Sequence, residues 1–267
     1  MILTVTTMGT ASAMPISDRN PSAQMLTANG RLFLIDCGEG TQQQMRRCHF
    51  SFVKVEAIFI SHIHGDHLFG LFGLLNSMAM YGRTGVLDIY GPQALGSVLN
   101  FYRSFFGTDD GFEIAFHPLT CKAPEVVHVS KCLTVSAFPL NHKIECYGFR
   151  FDEIVTPRHA EANPAYVPKS YAYCSDTAPF PELPGWVKGV SCMYHEATYM
   201  NEMADKAAYR FHSTGRQAAL CAREAGAGRL IIGHYSSRID DIGALVAECR
   251  EVFPGTETAS DCDVFEI

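Results

Sequence analysis

Hydrophobic positions along this chain fall into two periods, and the switching between them sets the predicted order of elements. Residues 2–7 alternate as a strand does, and 31–35 form a short apolar run entered through the turn signal Asn29-Gly30. Residues 55–61, with the apolar run Ala57-Ile58-Phe59-Ile60 at their centre, look like a strand buried on both faces. Directly after it Leu68, Leu71, Phe72 and Leu75 recur at helical spacing, which predicts one apolar helix face.

The pattern continues with a strand at 87–90 and a helix marked by Leu95, Val98, Leu99, Tyr102 and Phe106. Further strands are predicted at 133–140, 171–175, 190–194 and 229–232. Residues 215–225 read as a helix with Ser213 or Thr214 as N-cap and Gly226 as the stop, and Ile242, Leu245, Val246 and Cys249 mark the last helix. Residues 156–169, with three prolines, read as loop. Strands alternating with helices after an initial hairpin predict a layered α/β fold.

Composition narrows the class. With 47% hydrophobic and 18% charged residues in 267, the chain can bury a core, which excludes disorder. No apolar run reaches membrane-spanning length, and residues 1–15 lack the basic start and apolar stretch of a signal peptide, so a cytoplasmic location is expected. The ten cysteines include no CxxC pair and read as reduced core residues. A net charge of −7 excludes a generally basic nucleic-acid surface, so any RNA contact must be local.

The chemistry concentrates at His62-Ile63-His64-Gly65-Asp66-His67, immediately after the buried strand. His62 and His64 sit two residues apart on extended chain and share a side, while Asp66 and His67 stand at the mouth of the next helix. Imidazoles with carboxylates and no thiolate suit zinc, with manganese or iron as alternatives. Two metals need more donors than these, and later strands supply them at their ends: His142, Asp176 and His234. Each of the three has an ordinary reading alone, as a loop histidine, a turn former or a strand-end histidine. Beside HxHxDH they read as one shared site, because layered α/β folds gather their chemistry at a common strand edge.

In this order, these residues resemble the metallo-β-lactamase superfamily, and flanking segments narrow the resemblance to the ribonuclease Z family. Those segments are Met8-Gly9-Thr10, Pro15 with Arg19-Asn20, Asp36 through Gln42, Pro139-Leu140-Asn141-His142, Ser175-Asp176-Thr177, His195-Glu196-Ala197-Thr198, His212-Ser213-Thr214 and Gly233 through Arg238. The resemblance implies a four-layer αββα sandwich forming a single domain over 1–267. It also implies two zinc ions, one on His62, His64 and His142, the other on Asp66, His67 and His234, with Asp176 bridging. By the same resemblance the reaction is attack of a metal-held hydroxide on phosphorus, with Asp66 orienting or deprotonating it. His212 would donate a proton to the departing 3′ oxygen, and Glu196 would orient His212. The expected substrate is precursor transfer RNA with a 3′ trailer, and the expected assembly is a homodimer. The Asp36 turn reads as a glycine-bearing hairpin near the site and is given no individual role.

Two departures bear on substrate. Arm-bearing relatives carry a long insertion before the bridging aspartate, but here a short loop at 151–172 stands in its place. Ser17 also occupies a position where many relatives carry lysine. The remaining candidate phosphate contacts are Arg19 and Arg238 first, then Arg46, Arg47, Lys143, Arg150 and Arg216. An armless phosphodiesterase acting on small phosphodiesters or short oligonucleotides is therefore the main alternative. A lactonase or thioesterase is a weaker one, since the segments at Glu196 and His212 belong to the nuclease branch. A zinc-stabilised RNA-binding protein without turnover would have no need of a proton donor.

Overall fold

The computed structural model describes residues 3–106, 111–156 and 161–267. Among them are two seven-stranded sheets. The first has the order β14-β1-β2-β3-β4-β5-β6, with β1 Leu3–Gly9, β2 Ala23–Ala28, β3 Arg31–Ile35, β4 Val55–Phe59, β5 Leu87–Pro92, β6 Ile114–Leu119 and β14 Val264–Glu266. The second runs β13-β12-β11-β10-β9-β8-β7, with β7 Glu125–Val129, β8 Leu133–Pro139, β9 Tyr147–Glu153, β10 Ser170–Cys174, β11 Cys192–Glu196, β12 Leu230–Gly233 and β13 Thr256–Thr258.

Strand alternation explains the layers. In β3 and β4, Phe33, Ile35, Ala57 and Phe59 join a core shared with Val135, Phe149, Phe151, Tyr171 and Ile231 of the second sheet. The alternate residues Leu32, Leu34 and Ile58 face outward onto the helices, with Leu71, Leu75, Leu95 and Leu99. The second sheet repeats the arrangement, since Ala172, Met193 and Ile232 pack on Ala218, Ala222 and Leu245. Helix, sheet, sheet and helix thus stack as four layers. No helix among the described residues is long and apolar enough to cross a membrane. All ten cysteines are free.

Helix Gly215–Ala225 has the predicted bounds. Thr214 caps it in a reciprocal box with Gln217, and Gly226 closes it in the left-handed conformation at φ 63°. The helix predicted after β4 is instead broken into Gly65–Leu68 and Leu71–Met80. At the break the Gly70 N–H donates to Cys37 O, and a Cβ on Gly70 would lie 2.1 Å from Gly38 O, so the Asp36 turn occupies the space a continuous helix would need. Phe106, predicted on a buried face, follows helix Gln93–Phe105 and is 66% exposed, while Leu95, Leu99 and Tyr102 are buried. The segment 151–172, expected as loop, is strand at both ends, with the connection reduced to 154–169. Part of the proline-rich stretch, 157–160, lies outside the described residues.

Topology delivers the chemistry to one edge. Strands β3, β4 and β5 are mutually parallel, as are β10, β11 and β12. Strand β8 is antiparallel to β9, which is antiparallel to β10, so β8 shares the direction of β10. Asp36, His62, His142, Asp176, Glu196 and His234 all stand at or just past the carboxyl ends of such strands.

Candidate metal centre

Strand direction carries past β4, where Ile60 N–H still donates to Tyr90 O at 2.8 Å, and so aims His62 and His64 into the edge between the sheets. His64 is the N-terminal flanking residue of helix Gly65–Leu68, whose first turn then presents Asp66 and His67. The two halves of the motif therefore face different neighbours.

His62 Nε2 lies 3.0 Å from His64 Nδ1 and 3.6 Å from Asp176 Oδ2. His142 Nε2 lies 3.3 Å from the same His64 nitrogen and 3.9 Å from the same Asp176 oxygen. On the other side His67 Nε2 is 3.3 Å from His234 Nε2 and 3.5 Å from Asp66 Oδ2. Asp176 Oδ1 completes that group, 3.4 Å from His67 Nε2 and 3.1 Å from His234 Nε2. Donor atoms about 2.0–2.1 Å from a tetrahedral zinc are spaced roughly 3.3 Å apart, so both tetrads have the spacing of a cation's coordination sphere. Asp176 Oδ1 is buried and has no hydrogen-bond partner, which is costly unless a cation fills the gap.

A third cluster, Glu196 with His212 and His234, also brings donor atoms together. It differs from the tetrads because the Glu196 oxygens are already engaged. Oε1 accepts from Thr177 N–H, Ser213 N–H and His212 Nδ1, and Oε2 from Thr198 N–H and Thr198 Oγ1. Glu196 is thus a fixed anion facing His212 at 2.8 Å. Burial raises the Glu196 carboxyl, but the neighbouring His212 charge outweighs this and holds it below its ordinary value. Burial likewise works against a charged His212, yet Glu196 and Asp176 push its pKa up to about 9.

Outside the tetrads a cavity of about 900 Å³ opens over His64, Asp66, His142, Asp176, His212 and His234. Arg238 and Lys143 line it, and so do Lys206 and Arg210, which carry no motif in the sequence. Arg19 is not among the lining residues, because its guanidinium lies over the Tyr235 ring at 5.4 Å and beside Asp18 at 4.0 Å. Arg46, Arg47, Arg150 and Arg216 are engaged elsewhere, with Tyr81, Gln44, Asp152 and Glu251 respectively.

A family model described as a beta-lactamase superfamily domain matches residues 31–235, a span that holds every tetrad residue. Over 285 aligned positions the chain is 37% identical to a ribonuclease Z of Parabacteroides distasonis, covering 93% of this chain and 94% of the relative. The chain belongs to the ribonuclease Z family. Ribonuclease Z of Porphyromonas gingivalis is 34% identical over 290 positions, 95% of each chain. The crystal structure of human tRNase Z, short form, superposes with a TM-score of 0.83 at 27% identity, covering 98% of both chains.

In this ribonuclease Z family member the imidazoles are oriented by residues to which the sequence alone assigns no role. Asp36, fully buried, accepts from His67 Nδ1 at 2.8 Å, Tyr173 Oη at 2.7 Å, and Ser61 N–H and Oγ at 2.7 and 2.9 Å. His234 Nδ1 donates to Thr198 Oγ1 at 2.9 Å, and His142 Nδ1 to Phe211 O at 2.9 Å. Such bonds fix which nitrogen faces the metal position. Glycine lets the Asp36 turn come this close, since a Cβ on Gly38 would sit 2.4 Å from Asp66 O. Asp36→Asn is expected to weaken metal binding or activity by about 10- to 100-fold, because the amide leaves the His67 N–H without its charged acceptor. Metal titration of the variant checks this, and an unchanged affinity would show that Asp36 only packs.

Proposed function

We propose that this protein is a two-zinc endoribonuclease that removes 3′ trailers from precursor transfer RNA. The observation that carries the reading is the Asp176 carboxylate, which offers one oxygen to each tetrad and has Oδ1 otherwise unsatisfied. His62, His64 and His142 with Asp176 Oδ2 would hold one ion, and Asp66, His67 and His234 with Oδ1 the other. Five imidazoles and two carboxylates favour zinc over manganese or iron. When bound, two such cations supply Lewis acidity to a phosphate oxygen and lower the pKa of water to the neutral range.

The chain's own groups account for the rest. Asp66, at the cavity floor, can orient the attacking water or take its proton. His212 Nδ1 is tied to Glu196, so Nε2 is the nitrogen free to give a proton to the leaving 3′ oxygen. Arg238 on the cavity wall can neutralise a substrate phosphate. Residues 1–267 would act as one domain, with the homodimer that the family resemblance implies and the cytoplasmic location expected from the sequence.

A second reading, cleavage of small phosphodiesters or short oligonucleotides, draws on one specific observation. Alignments to the relatives run to 290 positions although this chain has 267 residues, so the relatives carry extra residues that this chain lacks. The short 154–169 connection is the expected place of that loss. Purified protein given a precursor transfer RNA beside a small chromogenic phosphodiester separates the two. Cleavage at the trailer junction, abolished by chelator and restored by zinc, is the expected result. Turnover of the small ester alone would favour the second reading.

A further inference from the structure

We propose that Lys206, Tyr209 and Arg210 form a subsite for single-stranded RNA on the 5′ side of the scissile phosphate, an inference that rests on the RNA-cleaving reading above. The three residues belong to helix Ala204–Arg210 and all line the cavity over the tetrads. Tyr209 is 78% exposed, so its ring is open to a substrate base entering the cavity. Arg210 places its guanidinium 5.7 Å from the centre of that ring, and Lys206 Nζ sits 5.5 Å from the centre of the Tyr199 ring. Neither cation forms an ion pair among the described residues. An exposed ring beside cations that no carboxylate neutralises is the chemistry that grips single strands, with a base stacking on the ring and phosphates meeting the charges. In a chain of net charge −7 this is a local basic patch where one is needed.

The helix is tied to the chemistry at its C-terminal end. Phe211 closes it in the left-handed conformation at φ 59° and accepts at its carbonyl from His142 Nδ1. The next residue is His212, whose N–H donates to Ala207 O at 2.9 Å. This neighbour gives the subsite its direction. In an in-line displacement the leaving oxygen departs on the side facing the proton donor, and in this cleavage that oxygen is the 3′ oxygen of the upstream nucleotide. The strand that carries it must pass over His212 and hence beside helix Ala204–Arg210. The trailer leaves on the other side.

The test uses full-length holoenzyme and precursor transfer RNAs with a base removed at one position, either among the first three nucleotides 5′ of the cleavage site or at the first trailer nucleotide. Tyr209→Ala should lower kcat/KM on the intact precursor by about tenfold, the worth of one stacked base. Removing one of the 5′ bases should cost the wild-type enzyme a similar factor, and the two changes together should cost no more than either alone. Tyr209→Phe keeps the ring and should keep the rate. Lys206→Ala with Arg210→Ala should flatten the slope of log kcat/KM against log salt by roughly 0.7 for each phosphate no longer neutralised. Losses that multiply to about a hundredfold at every 5′ position, or coupling to the trailer base instead, would overturn the subsite. Failure of the wild type to cleave any precursor would remove the RNA reading itself, and the subsite with it.

Discussion

Asp176→Asn should leave about one equivalent of zinc on the chain instead of two and slow cleavage by at least about a thousandfold. The aspartate is the one side chain that enters both tetrads, Oδ2 toward His62 and His142 and Oδ1 toward His67 and His234. Asparagine has the same size but one usable oxygen, since its amide nitrogen carries hydrogens and no free lone pair. It also removes one of the few negative charges facing five imidazoles, so whichever ion remains is held more weakly. Metal-ion stabilisation of the transition state amounts to several kcal/mol, and each 1.36 kcal/mol is tenfold in rate, which sets the scale of the loss. Metal content by elemental analysis and kcat on precursor RNA are the two readouts, with circular dichroism to confirm folding. Retention of two equivalents and of the wild-type rate would show that Asp176 does not bridge.

The contrast between what is legible in the sequence and what is hidden follows sequence distance. His62, His64, Asp66 and His67 occupy six residues, and the spacing itself announces a ligand cluster. His142, Asp176 and His234 are legible because each ends an apolar run, and strand ends meet at one edge when the strands are parallel. Helix Gly215–Ala225 is readable to the residue because its cap and stop are local signals.

Asp36 also ends an apolar run and lies in a segment shared with the family, yet nothing local announces its role as an acceptor for a ligand histidine. Its partners His67 and Tyr173 lie 31 and 137 positions away, and the pairing of β3 with β4 brings up the first while the packing of one sheet on the other brings up the second. The break at Gly70 is invisible for the same reason, since helical periodicity runs through it and the obstruction comes from Gly38. Lys206 and Arg210 read as ordinary surface charge until the fold sets their short helix against the cavity. Strands β6 and β7 leave no pattern because they are sheet edges whose partly exposed residues lack a clean alternation.

His212→Ala should reduce cleavage of precursor RNA by about 10²- to 10⁴-fold while metal content stays at the wild-type level. The separation of the two effects is a consequence of geometry. His212 turns Nδ1 to Glu196 at 2.8 Å, so that nitrogen is taken up by a carboxylate outside both tetrads. Its work is to hold a proton over the cavity, where its side chain remains 16% exposed. The carboxylates of Glu196 and Asp176 overcome burial and raise its pKa to about 9. Protonated histidine is the active form of a general acid, so the rate holds across neutral pH and falls as pH rises through that pKa. Bound cations repel the same proton, so the descending limb in the holoenzyme should lie below about 9, and His212→Ala should abolish it. A further discriminator is the leaving group. A ribose 3′ oxygen needs a proton to depart, whereas a nitrophenolate does not, so the variant should lose under about tenfold on a chromogenic nitrophenyl phosphodiester. Glu196→Gln, which keeps the hydrogen bond but removes the charge, should shift the alkaline limb to lower pH. Equal losses on both substrates, or an alkaline limb unmoved by either substitution, would assign His212 to holding the loop rather than giving the proton.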